Sequence, residues 1–245
     1  MKKGTELSYI GDELAVFALA KNWKAYFADL LAPYIAGRVA EVGAGLGATT
    51  EALCDPKRVR AWLCIEPDRT MADELQHKRA VGLLPDQCEV FSGLLADLPA
   101  ERQFDTILYI DVLEHIVDDR HELEAAAARL TARGRIIVLS PAWPHLYSPF
   151  DRKIGHHRRY TKPQLAALHV AGLDVEAAYY ADCAGYCASL ANRLLLRQDL
   201  PSQAQVLFWD RWLVPASRLL DPLFGWKLGR SVIAIWRKNA HHRPT

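Results

Sequence analysis

The chain has 245 residues, enough for one α/β domain or two small ones. Hydrophobic residues make up 51% of it and charged residues 24%, as in ordinary globular proteins. The formal net charge of +1 at pH 7 argues against a surface that coats nucleic acid broadly. The five cysteines form no C-x-x-C pair, which predicts reduced thiols in a cytoplasmic protein. Lys21 and Lys24 interrupt the N-terminal apolar run, so neither a signal peptide nor a membrane span is predicted.

The first predicted element is an amphipathic helix over residues 12–35, indicated by apolar side chains at helical spacing. Pro33 is expected to end it, close to Gly37. We therefore expect residues 1–36 to form a helical cap, which packs on a sheet or covers a ligand.

A glycine-rich turn follows the first predicted strand, residues 39–42. Glycine permits positive φ and lets a ligand approach where a Cβ would collide, and the next helix points its free N–H groups at the turn. The spacing from Gly43 fits the pattern G-x-G-x-x-A, and Glu66 lies where an acid would bind a ribose. This stretch predicts a nucleotide-binding element.

Glu41 precedes the first glycine within an otherwise apolar strand. A buried carboxylate is costly unless it is paired, and the ammonium group of an amino-acid ligand could pair with it. The stretch E-V-G-A-G-L-G resembles the first motif of class I S-adenosylmethionine-dependent methyltransferases. The resemblance implies a donor site whose methionine end is held by Glu41, Gly43, Ala44, Gly45 and Gly47 and whose ribose is held by Glu66 and Pro67.

The residues after the third predicted strand, 88–91, correspond to the adenine contact of this family. The family usually has an acid there, which is missing here unless Asp97 reaches back. The resemblance leaves Gly93 and Leu94 as the adenine contacts, through backbone and apolar packing.

The strand predicted over residues 104–110 ends in D-V-L-E-H-I, and ligands of open parallel sheets bind beyond such strand ends. The D-x-L-E-H pattern is similar to the fourth motif of small-molecule methyltransferases of class I. It implies that Asp111 and Val112 contact the donor and Glu114 the substrate, with His115 as a candidate general base. The alternative is that Glu114 and His115 begin the next helix and only order the loop.

The other elements alternate in the same way. The apolar patterns predict strands over 61–65, 135–139, 173–180 and 231–236 and helices over 69–80, 118–130, 161–172 and 184–198. This alternation predicts an α/β fold with a doubly wound, mostly parallel sheet and helices on both faces. The resemblance implies seven strands, the last of them antiparallel, within a methyltransferase domain over residues 37–245.

Residues 141–161 carry three prolines and many aromatic, histidine and arginine side chains, so we expect a substrate loop or lid here. The core F-D-R-x-I-G-H-x-R-R-Y looks like that of a branch of bacterial class I methyltransferases. The candidate substrate-binding residues of this segment are Tyr147, Arg158, Arg159 and Tyr160. Its candidate bases are His156 and His157.

Other interpretations of this segment stay open. The two arginines could bind a carboxylate or phosphate, or form internal salt bridges with Asp151. Contact with RNA is an alternative because basic and aromatic residues interleave, although nucleic acid is not the partner we expect. A metal site from Asp151, His145, His156 and His157 is not predicted, because helix-like ligand spacing is absent.

Residues 199–228 are predicted as a helical insertion before the last strand. One helical face would carry Trp209, Trp212, Leu213, Ala216, Leu219 and Leu220. Pro215 would kink the helix. Such a stripe is typical of core; a dimer contact or docking on a membrane surface is the alternative.

The sequence as a whole predicts a methyltransferase that uses S-adenosylmethionine and releases S-adenosylhomocysteine. The expected acceptor is a small molecule or an envelope-sugar or lipid-linked precursor, methylated by in-line displacement. One alternative is an NAD-dependent oxidoreductase. The other is a non-catalytic module that binds an adenosyl ligand and acts through its C-terminal surface.

Overall fold

A computed structural model of the chain describes residues 19–168, 170–196 and 202–239. Residues 12–18 of the predicted N-terminal helix and residues 199–201 of the predicted insertion lie outside the described part of the chain.

The described residues contain a seven-stranded sheet of order β3-β2-β1-β4-β5-β7-β6. The strands are β1 Gly37–Val42, β2 Val59–Glu66, β3 Cys88–Ser92, β4 Phe104–Ile110, β5 Leu130–Pro141, β6 Leu173–Ala181 and β7 Ser231–Lys238. Strands β1 to β5 pair in parallel, whereas β7 is antiparallel to both β5 and β6. The predicted fold class, with its antiparallel seventh strand, is confirmed.

Helices cover both faces of this sheet. They are α1 Lys21–Leu31, α2 Ala48–Leu53, α3 Arg69–Ala80, α4 Asp119–Ala128, α5 Pro149–Lys153, α6 Lys162–Ala166, α7 Cys183–Ala191, α8 Gln203–Phe208 and α9 Val214–Leu223. Successive strand residues point to opposite faces, so that Val39 joins the core under α1 and Ala40 the core under α4. The sheet is therefore buried on both sides, as the continuous apolar strands predict.

The N-terminus of α1 is capped by a residue far away in the sequence. Asp210, in a π-helical turn over Trp209–Leu213, accepts hydrogen bonds from the backbone N–H groups of Trp23 at 2.8 Å and Asn22 at 3.2 Å. A carboxylate at this position satisfies open helix donors and interacts favourably with the helix dipole. The rings of Trp23 and Trp209 also pack together, with centroids 5.9 Å apart. These contacts hold α1 against the C-terminal helices.

The predicted apolar stripe after residue 205 divides between the interior and the surface. Trp209 is buried, but Trp212 is 59% and Leu219 74% exposed. The single apolar face predicted for this stretch is therefore wrong. Pro215 cannot donate the bond that an α-helix would require, and the π-helical turn just before it shifts the helical phase. A dimer or membrane contact at the exposed side chains stays a prediction. In the described part of the chain, every helix falls short of the length or apolar character that a membrane span requires.

Candidate functional site

A cavity of about 260 Å³ opens at the carboxyl ends of β1 and β4. The chain leaves these neighbouring strands in opposite directions, toward β2 and β5, so the cavity lies where the strand order reverses. Ligands of open α/β sheets bind at such points. The glycine turn after β1 forms one wall, the D-x-L-E-H motif forms a second, and α1 and Trp209 cover the cavity.

The glycine turn needs glycine at positions 43 and 45 for different reasons. Both backbones are left-handed, with φ of 70° and 55°. A Cβ on Gly43 would lie 2.6 Å from Cγ2 of Val112, because the turns after β1 and β4 pack together. A Cβ on Gly45 would meet no protein atom within 4 Å. Gly45 and Ala44 line the cavity, so the space above Gly45 is available to a ligand, whereas Gly47 lies outside the lining and precedes α2.

Glu41 lies beneath the turn, and its carboxylate has partners inside the protein. It is 2% exposed and accepts hydrogen bonds from the Thr50 hydroxyl and, at 2.8 Å, from the Trp62 indole N–H. Burial raises the pKa of Glu41 to about 7, although these two bonds favour the charged form. The predicted bond between Glu41 and the ammonium group of the donor stays a prediction.

Glu66 ends β2 and supports the glycine turn. Its Oε2 accepts a hydrogen bond from the Gly45 N–H at 2.8 Å, and its Oε1 accepts one from the Asp68 N–H at 2.9 Å. Burial raises the pKa of Glu66, while the two backbone bonds lower it. Glu66 lies outside the cavity lining, and its contact with a ribose stays a prediction.

The residues predicted for the adenine ring lie beside the end of β2. The N–H of Gly93 donates to the carbonyl oxygen of Glu66 at 3.0 Å, and Pro67 follows Glu66 directly. The N–H of Leu94 donates to Oδ2 of Asp97 at 2.8 Å. Asp97 thus lies beside this turn, and its contact with an adenine ring stays a prediction.

The D-x-L-E-H motif follows β4 and brings three of its side chains to the cavity. Asp111 has a left-handed backbone, φ 54°, and its side chain faces the cavity. Desolvation by the surrounding protein raises the pKa of Asp111, against the opposing charges of His156, Arg230 and Arg159. Glu114 lies in a separate 3₁₀ turn, and α4 begins only at Asp119, so the alternative in which the motif starts the next helix is wrong.

Glu114 and His115 have different environments on the same wall. The Glu114 side chain is fully buried, and Oε2 accepts a hydrogen bond from the Ser140 hydroxyl at 2.8 Å. Burial raises the pKa of Glu114, and the nearby charge of Asp111 adds to this effect. Burial lowers the pKa of His115 to about 4, so its imidazole is neutral at pH 7. The rings of His115 and His156 meet edge to face, with centroids 4.5 Å apart.

The 141–161 segment is bonded to the body of the domain. Arg159 makes a bidentate ion pair with Asp151, with Nε–Oδ1 and Nη2–Oδ2 distances of 2.8 and 3.0 Å. Oδ1 of Asp151 also forms a hydrogen bond with Nδ1 of His156, at a distance of 2.9 Å. Of the predicted segment residues, Arg159 and His156 line the cavity.

The remaining predicted residues of the segment lie outside the cavity lining. Arg158 and Tyr160 both donate to Oδ2 of Asp119, at 2.6 and 2.7 Å, and the Tyr147 hydroxyl donates to the carbonyl oxygen of His156 at 2.7 Å. The His157 side chain is exposed. The alternative of an internal salt bridge with Asp151 is confirmed for Arg159, whereas Arg158 pairs with Asp119.

Sequence reasoning missed the residues that close the cavity. Arg230 lines it, with its guanidinium 4.4 Å from the ring centroid of Trp209, and Lys24 and Phe27 of α1 line it as well. The only sequence signal for Lys24 was its interruption of an apolar run. Arg230 gave none, because it reaches the site through the packing of β7 beside β5.

Three comparisons bear on this site. Residues 40–136 match the model of a family described as "Methyltransferase domain". No sequence among the curated proteins matches the chain.

Solved structures share the fold. A proposed sarcosine dimethylglycine methyltransferase from Galdieria sulphuraria has 17% identity and a TM-score of 0.59, over 91% of this chain and 86% of that chain. Coclaurine N-methyltransferase bound to N-methylheliamine and S-adenosylhomocysteine has 12% identity and a TM-score of 0.61, over 88% and 72%. The [4+2]-cyclase SpnF has 16% identity and a TM-score of 0.58, over 88% and 80%.

Residues 40–136 match a methyltransferase domain, and methyltransferases of solved structure share the fold. Both findings support an enzyme of this class, which implies S-adenosylmethionine as the methyl donor. The matched range contains the glycine turn, Glu66 and the D-x-L-E-H motif.

Proposed function

We propose that this enzyme transfers a methyl group from S-adenosylmethionine to a small-molecule or lipid- or glycan-linked acceptor by in-line displacement. One observation carries the proposal: the glycine turn after β1 and the D-x-L-E-H motif after β4 line a single cavity at the strand switch point. Donor and acceptor have to meet within bonding distance, and one shared cavity provides that meeting point.

The residues present fit the donor. The open space above Gly45 accepts a ligand where a side chain would obstruct it. The methionine end of the donor would be held by Gly43, Ala44 and Gly45. Asp111 and Val112 would contact the donor nearby, and Glu66 would bind its ribose. When bound, the donor supplies a sulfonium methyl that is already activated, so the protein mainly aligns the reactants and excludes water.

The acceptor end of the cavity carries groups that can orient a polar substrate. Arg230 contributes positive charge and Glu114 a carboxylate, whereas the charge of Arg159 is paired with Asp151. His115 lines the cavity in its neutral form, as a general base must, but its pKa of about 4 makes it a weak base for the acceptor proton. His156 lines the cavity too, whereas His157 is exposed, so the first two histidines are the stronger candidates.

Calorimetric titration of the full-length protein with S-adenosylhomocysteine, with NAD as the control, tests the proposal. We expect micromolar binding of S-adenosylhomocysteine and none of NAD. Binding of NAD alone would support the oxidoreductase alternative instead. Since a [4+2]-cyclase shares this fold, transfer of a radiolabelled methyl group to extracts of small molecules and lipids is the second step. Donor binding without any transfer would favour the non-catalytic module.

A further inference from the structure

Three side chains of the cavity wall point metal-ligating atoms toward one another. Glu114, His115 and His156 each offer one nitrogen or oxygen atom, and these atoms lie within 4.8 Å of each other. The first two come from the turn after β4 and the third from the 141–161 segment, and all three line the cavity. The cluster therefore exists only in the folded chain.

Glu114 carries a buried carboxylate oxygen without a hydrogen bond. Oε2 of Glu114 accepts from Ser140, but Oε1 has no hydrogen-bond partner among the described residues. Oε1 lies 3.7 Å from Nε2 of His156, too far for a hydrogen bond. Two ligand atoms that each lie about 2.1 Å from one metal ion stand roughly 3.0–3.4 Å apart. A slight closure of this pair would therefore accommodate an ion between them.

The orientation of His156 is that of a metal ligand with a supporting carboxylate. Its Nδ1 lies 2.9 Å from Oδ1 of Asp151, and Asp151 is held in turn by Arg159 and Ser148. With Nδ1 as the donor, the lone pair of Nε2 points toward Glu114. Metal-binding histidines commonly make this second bond to a carboxylate, which fixes the tautomer and the ring.

We propose that Glu114, His115 and His156 bind one divalent transition-metal ion beside the donor site, with a hydroxyl group of the methyl acceptor as a further ligand. Two imidazole nitrogens and one carboxylate oxygen, with positions left open, are a ligand set for Zn²⁺, Fe²⁺ or related ions. Arg159 is neutralised by its bidentate pair with Asp151, and so adds little repulsion.

This inference rests on the proposed function for its catalytic part and names the acceptor atom as oxygen. A bound divalent ion lowers the pKa of a hydroxyl that it contacts. The acceptor oxygen would form the new bond to the methyl carbon, and the carbon–sulfur bond would break with its electron pair left on sulfur. Because His115 and His156 would hold the ion, the hydroxyl proton would pass to the Asp111 carboxylate instead of to a histidine. Asp111 lines the same cavity.

The test uses the full-length protein after treatment with a chelator, and Co²⁺ as the probe. We expect about one equivalent to bind, with a visible absorption band and a rise in the melting temperature. Glu114→Gln and His156→Ala should each weaken Co²⁺ binding by about 100-fold. His145→Ala is the matched control, because His145 is an exposed histidine of the same segment, and it should bind Co²⁺ as the wild type does. Catechol, which offers adjacent hydroxyls, should shift the absorption band.

The binding of Co²⁺ and S-adenosylhomocysteine by the wild-type protein tests the proposal even if the variants fail to fold. Absence of Co²⁺ binding by wild-type protein that still binds S-adenosylhomocysteine would overturn the metal site and leave the proposed function intact. Co²⁺ binding without S-adenosylhomocysteine binding would overturn the proposed function and leave the site. Full Co²⁺ affinity in folded Glu114→Gln and His156→Ala variants would show that the ion binds at another site. An absorption band that catechol leaves unchanged would refute the proposal that a hydroxyl group is a ligand.

Discussion

Gly45→Val tests whether the space above the glycine turn is the donor site. Gly45 has φ 55°, and an L-residue in this region costs about 1–2 kcal/mol. For a chain of this size, that cost lowers the melting temperature by about 2–8 °C. The valine side chain would also fill the space that is open beside Gly45. We expect S-adenosylhomocysteine to bind at least about 100-fold more weakly, which corresponds to about 2.7 kcal/mol.

Gly82→Val separates backbone strain from loss of the ligand site. Gly82 also has a left-handed backbone, φ 74°, with no atom within 4 Å of an added Cβ, and it lies outside the cavity lining. The melting temperatures of the two variants should fall by similar amounts. Only Gly45→Val should show a lower affinity for S-adenosylhomocysteine by calorimetry. Wild-type affinity in a folded Gly45→Val protein would refute the assignment of the donor site.

Three further variants test other parts of the structure. Asp210→Ala removes the cap of α1 and should lower the free energy of unfolding in urea by about 1–2 kcal/mol. The control is Asp73→Ala, which changes an exposed residue and should leave the free energy of unfolding unchanged. Equal values for the two variants would show that the cap contributes nothing. Glu66→Gln keeps an acceptor for Gly45 but loses the charge, so affinity for S-adenosylhomocysteine should fall about 10-fold, and unchanged affinity would argue against the ribose contact. Folding raises the pKa of Glu41 from 4.5 to about 7, so this group's contribution to stability is full below pH 4.5 and is lost as the pH rises to about 7, by about 3 kcal/mol at most. Glu41→Gln should flatten this decline in urea unfolding, and a decline as steep as in the wild type would contradict the assignment.

The two turns that form the proposed donor half of the cavity could be predicted because their signals are continuous in the sequence. The glycines from Gly43 follow a strand directly, and the positive φ that their spacing implies is present at Gly43 and Gly45. The apolar run before Asp111 likewise identified β4, and with it the strand end that carries the motif. Local patterns of this kind report backbone conformation, which the neighbouring residues largely determine.

Elements that depend on tertiary packing could not be predicted in the same way. The helix predicted over residues 118–130 ends at Ala128, and the strand predicted from residue 135 begins at Leu130, because pairing with β4 extends β5 toward its N-terminus. The spacing of residues could not reveal the proposed metal site either, since Glu114 and His156 belong to different segments of the chain. The periodicity of the sequence within one helix or strand does not indicate which side chains of two separate elements come into contact.

The bonds of the 141–161 segment favour a fixed wall over an opening lid. Arg158 and Tyr160 bond to Asp119, and the His157 N–H donates to the carbonyl oxygen of Glu114 at 2.8 Å. Bonds to charged groups are worth about 1.5–3 kcal/mol each, and opening the segment would break several of them together. The same bonds hold His156 in place through its neighbours, so the wall that would exclude water also orients the acceptor end. Selectivity would then come from the side chains that this wall presents, such as Ile154, which can change without disturbing the donor half of the cavity.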